Sequence, residues 1–157
     1  MAQESASRPL SENLGYVLKQ AQMALHTAMD AALRPHGLTV SQYSCLELLS
    51  RNPGQTNAQL ARGTFVTAQS MNDVLRGLQR RGLVARPATA ASGRSRPTRL
   101  TARGEQAVEK ARAALEPVQR LMDAVADEHA QLLAGLRSVI TVLEDEREPG
   151  PARPGQA

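Results

Sequence analysis

Residues 56–84, TNAQLARGTFVTAQSMNDVLRGLQRRGLV, decide the fold. Thr56 and Gln59 stand three apart ahead of an apolar run, the spacing of a capping box, so a short helix opens there with Gly63 as its expected end. Thr67 caps a second helix over AQSMNDVLRGLQRR, and Gly82 stops it. Helix, tight turn and helix make a helix-turn-helix. Projected at about 100° per residue, Met71, Val74, Leu75 and Leu78 share one face and turn to the core. The opposite face gathers Gln69, Asp73, Arg76 and Arg80, with Asn72 beside them. That strip is rich in groups that read base edges: Gln and Asn pair bidentately with adenine, Arg with guanine, and a helix of this size fits the major groove. Asp73 either accepts from a cytosine amine or holds Arg76 in position.

Working outward towards the C-terminus, the pattern changes to LVARP and, past a loop of small residues, RPTRLT. Both read as brief strands, with Pro97 confining the second to an edge, so the pair forms a hairpin. Its return arm, ASGRSRPTRLT (91–101), carries Arg94, Arg96 and Arg99 with no acid among them. A thin cationic finger of this kind suits a narrow minor groove, where the potential is most negative and a guanidinium is more weakly hydrated than an ammonium.

On the N-terminal side, Leu10, Leu14, Val17, Leu18, Ala21, Leu25, Met29 and Leu33 recur at helical spacing, which predicts one long helix from about residue 10, broken at RPHG by Pro35 and Gly37. Thr39 and Gln42 make another capping box for a helix through Cys45 and Leu49, which NPG (52–54) ends. After Thr101 the helical period returns, with Pro117 expected to bend or divide the helix and Asp127 to cap a last one through Leu143. The expected organisation is therefore mainly α with a small β-hairpin wing: a disordered start (1–9), an N-terminal dimerisation helix (10–36), a winged helix-turn-helix (37–103), C-terminal dimerisation helices (104–146) and a Pro/Gly-rich disordered tail (147–157). The terminal stripes cannot all be hidden on so small a winged domain. Some of that surface is expected to meet a second copy, making a homodimer.

Composition agrees with a helical DNA binder. Apolar residues are 41% of the 157 and aromatics only 2%, which favours a Leu/Ala/Val core over a β-sandwich. The net charge is +4, but residues 51–103 hold ten arginines against a single acid, Asp73, while the rest of the chain is net acidic. Arg-rich coding explains Arg in place of Lys; it does not explain the missing acids. A polyanionic partner that meets only the middle segment does. No apolar run approaches the roughly 20 residues of a membrane span, so no membrane association and a cytoplasmic location are expected. The single cysteine excludes an intrachain disulfide.

The stretches GLTVSQYSCLELL, NAQLARGTFVTAQSMNDVLRGLQRRGLV and GRSRPTRLTARGEQ, in that order, resemble the winged core of the MarR family of bacterial transcriptional regulators. The resemblance runs over about residues 10–146 and is strongest from Leu38 to Gly104. It implies a homodimer that represses genes from a pseudo-palindromic operator and lets go when a small ligand, often an aromatic acid, or an oxidant arrives. By resemblance Thr67, Gln69, Ser70 and Arg76 match recognition-helix contacts, and Arg94 matches the wing arginine of the minor groove. Many members brace that arginine with an acid in an Asp-x-Arg-Arg wing. Here Gly93-Arg94-Ser95-Arg96 stands instead, so the division of labour among Arg94, Arg96 and Arg99 is left open.

An effector pocket in such an architecture is expected where the dimer helices join the winged domain. Tyr16, Met23, His26, His36, Tyr43, Cys45 and Met122 are its nearest candidates by sequence order, although each also fits a core or satisfied polar role. Peroxide-sensing members carry their cysteine near the start of the first helix, whereas Cys45 falls in the second, which favours an inert thiol. Three histidines and one cysteine without ligand spacing predict neither metal nor cofactor. No Gly-rich phosphate loop, nucleophile motif or catalytic carboxylate pair points to an enzyme. A second reading, a winged-helix regulator that reads a protein partner or senses oxidation through Cys45, differs from the first in the salt dependence of DNA binding.

Overall fold

The computed structural model describes residues 9–86, 97–125 and 129–145. It divides into two compact units, Met1–Val118 and Gln119–Ala157. In the first unit, α1 (Leu14–Leu33), α2 (Val40–Arg51), α3 (Asn57–Gly63) and α4 (Ala68–Arg80) precede a two-stranded antiparallel sheet, β1 (Val84–Ala85) and β2 (Arg99–Leu100), and α5 (Ala102–Val125) begins after it. Val84 pairs with Leu100 and Ala85 with Arg99. The second unit holds the end of α5 and α6 (His129–Asp145). The fold class is the expected one, mainly helical with a small wing.

The three threonine caps read from sequence are in place. Thr39 and Gln42, and Thr56 and Gln59, form full capping boxes, and the Thr67 hydroxyl accepts from the Ser70 amide at 3.0 Å. Each satisfies helix N–H groups that would otherwise lack partners. Leu33, Cys45, Leu46, Leu49, Leu60, Met71, Leu75, Leu78, Leu83, Val84, Val108, Ala111 and Leu115 form one buried cluster, so four helices, the sheet and the first turns of α5 share a core.

Four expectations need correction or extension. The first helix does not run from Leu10: a 3-10 turn covers Leu10–Glu12, and the Asn13 side chain caps the Tyr16 amide at 3.0 Å, so α1 starts at Leu14. Gly63 is the last residue of α3, as expected, but the left-handed residue of the turn is Phe65, and a Cβ on Gly63 would sit 2.6 Å from a Leu48 methyl. Pro117 does not divide α5; it is exposed, and losing one backbone donor does not end a helix of 24 residues. Gln55 and Thr98 add an antiparallel bridge that ties the turn after α2 to the foot of the wing, with Thr98 fully buried. Asp127, the polar start up to residue 8, the tail from residue 146 and the wing tip 87–96 lie outside the described residues.

Three C-terminal turns share one device. After the 3-10 turn Arg34–His36 and after α3 and α4, Leu38 N–H bonds Leu33 O, Val66 N–H bonds Ala61 O and Leu83 N–H bonds Leu78 O, the reach-back of a Schellman-type close. The residue before each closing amide has positive φ: Gly37 at 65°, Phe65 at 58° and Gly82 at 68°. Glycine takes this conformation freely, whereas a side chain costs about 1–2 kcal/mol there. Phe65 alone among the three bears that strain.

Candidate nucleic-acid interface

α4 is held so that one face is free. Its inner face buries Met71, Leu75 and Leu78, while Gln69, Asp73, Arg76 and Arg80 are exposed and Asn72 is half-buried. The helical projection of the sequence thus matches the burial pattern. At the N-terminus, Thr67 also donates its hydroxyl to Ser70 Oγ at 2.9 Å, fixing both hydroxyls at the exposed mouth of the helix. Asp73 and Arg76 approach to 3.8 Å with both side chains largely in solvent, a loose pair that leaves the guanidinium available to a stronger acceptor.

Asn72 has a second task that sequence spacing concealed. Its Oδ1 accepts from Asn57 Nδ2 at 3.0 Å, and the same Nδ2 donates to Ala68 O at 3.2 Å. Asn57 therefore staples the start of α3 to the start of α4 and sets the angle of the pair. Arg81 pins the other end, donating to Gly37 O at 2.7 Å.

The wing arginines part company. Arg94 and Arg96 lie outside the described residues. Arg99 is exposed, but its Nη2 passes 3.4 Å from where a side chain on Gly54 would begin, and it lines a cleft of about 470 Å³ with Leu49, Ser50, Pro53, Leu100, Glu105 and Glu109. No α4 residue lines that cleft. The foot of the wing is rigidly set: Thr101 donates to Gly82 O at 2.7 Å and caps the Gly104 amide at 3.0 Å, and Gly104 has no room for a Cβ, which would fall 2.0 Å from Leu83 O.

The effector candidates differ in exposure. Tyr16, Met23 and His26 are exposed on α1, Met122 is exposed in the second unit, and Cys45 is completely buried in the core. Burial pushes the Cys45 thiol up to about 12, although Arg86 pulls it back somewhat. Tyr43, half-buried, places its hydroxyl 3.5 Å from Glu47. Glu47 is the hub there: Arg51 at 2.6 Å and Arg112 at 2.8 Å both bond it, and Arg112 also reaches Ser50 at 2.9 Å, tying α2 to α5. Partial burial raises the Glu47 carboxyl, but the two guanidinium hydrogen bonds outweigh it and hold the group below its ordinary value.

His36 lines a crevice of about 220 Å³ with Leu38, Arg81, Leu83, Arg103, Gln106, Ala107 and Lys110. Four basic side chains meet there without a carboxylate in the lining. Among the described residues none of His36, Arg103 and Lys110 is in an ion pair, and the first turn of α5 adds the positive end of its helix dipole. Its apolar floor is Leu38, Leu83 and Ala107. Among the described residues there is no group of His, Cys, Asp and Glu fit to hold a metal, and no helix is long and apolar enough to cross a membrane.

Comparison with known proteins places this geometry. A family model described as MarR family matches residues 36–95. An HTH-type transcriptional repressor of Mycobacterium tuberculosis is 48% identical over 111 residues, covering 71% of this chain and 77% of that protein. A Mycobacterium tuberculosis MarR family protein solved in complex with salicylic acid is similar at a TM-score of 0.62 and 41% identity, over 84% of this chain and 94% of that one. A Mycobacterium tuberculosis MarR family protein solved in complex with DNA is similar at 0.62 and 36% identity, over 86% of this chain and 98% of that one.

Proposed function

The chain belongs to the MarR family of DNA-binding transcriptional regulators, and from that premise we propose that it is a homodimeric repressor of a pseudo-palindromic operator, released by a small aromatic or phenolic acid. One observation carries the DNA reading: Gln69, Asp73, Arg76 and Arg80 of α4 are exposed while Met71, Leu75 and Leu78 are buried beneath them, inside a segment of ten arginines and one acid. Gln69, Asn72, Asp73, Arg76 and Arg80 read base edges in the major groove, Thr67 and Ser70 hold the phosphates at the mouth of α4, and Arg94 and Arg96 enter the minor groove. Arg99, turned to the cleft beside Gly54, braces the wing and contacts the backbone only from its foot.

Dimerisation rests on apolar surface that the chain leaves bare. Leu10, Leu14, Val17 and Met23 in the first unit, and Leu121, Leu132, Ile140, Val142 and Leu143 in the second, are all exposed. A second copy that covers them sets two α4 helices about 34 Å apart, one turn of duplex. For the effector, the crevice of His36, Arg81, Arg103 and Lys110 has the charge to take a carboxylate and the apolar floor to take a ring. It touches the C-terminal end of α4, so a bound acid is placed to tilt the helix out of register.

Fluorescence anisotropy on a duplex selected by the protein tests the reading. Six to eight phosphate contacts give a log-log salt slope of about −5 to −7, and salicylic acid is expected to release the complex. A slope near zero removes the DNA reading, and release that persists in Arg103→Ala/Lys110→Ala removes the crevice from it.

A further inference from the structure

Phe65 stands out because the chain itself shows what ordinarily fills its position. Two of the three reach-back turns carry Gly at the positive-φ residue, and the third, between α3 and α4, carries a Phe whose φ is 58°. The strain is matched by no packing: the residue is 95% exposed, the barest large apolar side chain among the described residues. A buried aromatic at a strained turn explains itself through the core, but a bare one does not. Glycine here would remove both the strain and the solvated ring.

The location supplies the reason. Phe65 precedes by two residues the Thr67 cap, so within about 7 Å of chain it stands beside the N-terminal end of α4, the end assigned above to phosphate contacts. From Asn57 to Asn72 the sequence has one cation, Arg62, and no acid, so the surface around the ring suits a polyanion and repels an acidic protein. We propose that Phe65 is an apolar DNA contact, its ring seating on the apolar edge of the operator, either deoxyribose carbons or a thymine methyl, as α4 enters the groove. This rests on the DNA-binding reading. The left-handed backbone is what aims the ring outward from the turn, and burial against the duplex is what the strained conformation is held ready for.

The test measures the full chain on a duplex that the wild type retains from a random pool. Phe65→Gly and Phe65→Asn both relieve the backbone, since Asn also tolerates positive φ, and both delete the ring. Each is expected to bind at least fivefold more weakly, with an unchanged salt slope and a melting temperature equal to or above that of the wild type. Phe65→Tyr, which keeps the ring, is expected within twofold of wild type. Affinities of Gly and Asn within twofold of wild type overturn the proposal, as does a fall in melting temperature that parallels the lost affinity. Replacing operator thymines one at a time by deoxyuridine separates the two edges: a loss at one position that Phe65→Gly no longer feels assigns the methyl, and uniform indifference assigns the sugar. A wild type that retains no duplex at low salt ends the DNA-binding reading first and this contact with it.

Discussion

The winged core and the terminal helices are built from the same residues to opposite ends. Both carry Leu, Ala, Val and Met at helical spacing, but the stripe of α4 is buried at Met71, Leu75 and Leu78, whereas Leu121 is 70% exposed and Leu143 61% exposed. Hydrophobic periodicity gives each helix its inner face; it does not say which molecule supplies the other wall. In the core the wall is intramolecular, made by α2, α3, the sheet and the start of α5. At the termini the exposed stripe has no such wall among the described residues, and the proposed dimer would supply it.

The comparison is broken most forcefully by cutting into each stripe in turn. Leu75→Ala removes a fully buried side chain and is expected to cost about 2–5 kcal/mol in urea unfolding. The paired change Leu132→Asp/Leu143→Asp is expected to leave the secondary structure of the winged core in circular dichroism and to halve the sedimenting mass. Unfolding by the second change, or an unaltered mass, erases the distinction.

A second test sharpens the contrast between the inner and outer faces of α4. Arg76→Ala is expected to weaken operator binding by about 1–3 kcal/mol and to relax base preference at one position, while the melting temperature stays put. Arg94→Ala is expected to weaken binding by more than Arg137→Ala, and equal effects remove the wing from the interface.

The tie between α2 and α5 predicts a smaller effect that depends on pH. Because the Glu47 carboxyl titrates below its ordinary 4.5 in the folded chain, its contribution is complete above that value and is lost as the pH falls through the lower, folded one. Acid unfolding of the wild type is therefore expected to lose about 1 kcal/mol more below pH 4.5 than Arg112→Ala does, after allowance for solvent at the partly exposed guanidinium. Parallel acid curves contradict the tie. Smallest of all is the effect of oxidant: with its thiol buried and pushed up to about 12, Cys45 is expected to stay unmodified by thiol reagents at pH 8, and peroxide to leave DNA binding unchanged. Rapid labelling of the native protein revives redox sensing through Cys45.

What was legible in the chain was local. The boxes at Thr39/Gln42 and Thr56/Gln59 and the Thr67 cap are decided within four residues, and the two faces of α4 follow from its own period. What was hidden was set by residues far away in sequence. Gly63 lies against Leu48 in another helix, and the left-handed residue after α3 is Phe65; Asn72 is half-committed to Asn57; and Thr98 pairs with Gln55 across the unwritten register of the wing. The cationic crevice draws on positions from 36 to 110, and of its basic lining the sequence singled out only His36. Phe65 did leave a signal, a bulky residue where a helix end asks for Gly, but only the left-handed backbone made it readable.

The most direct measurement is the sequence of duplexes that the purified full-length chain retains from a random pool at about 0.1 M salt, where phosphate contacts are still strong. An inverted repeat whose half-sites lie about ten base pairs apart, one α4 to each, is the expected result. A retained pool with no symmetry, or none retained at all, contradicts it.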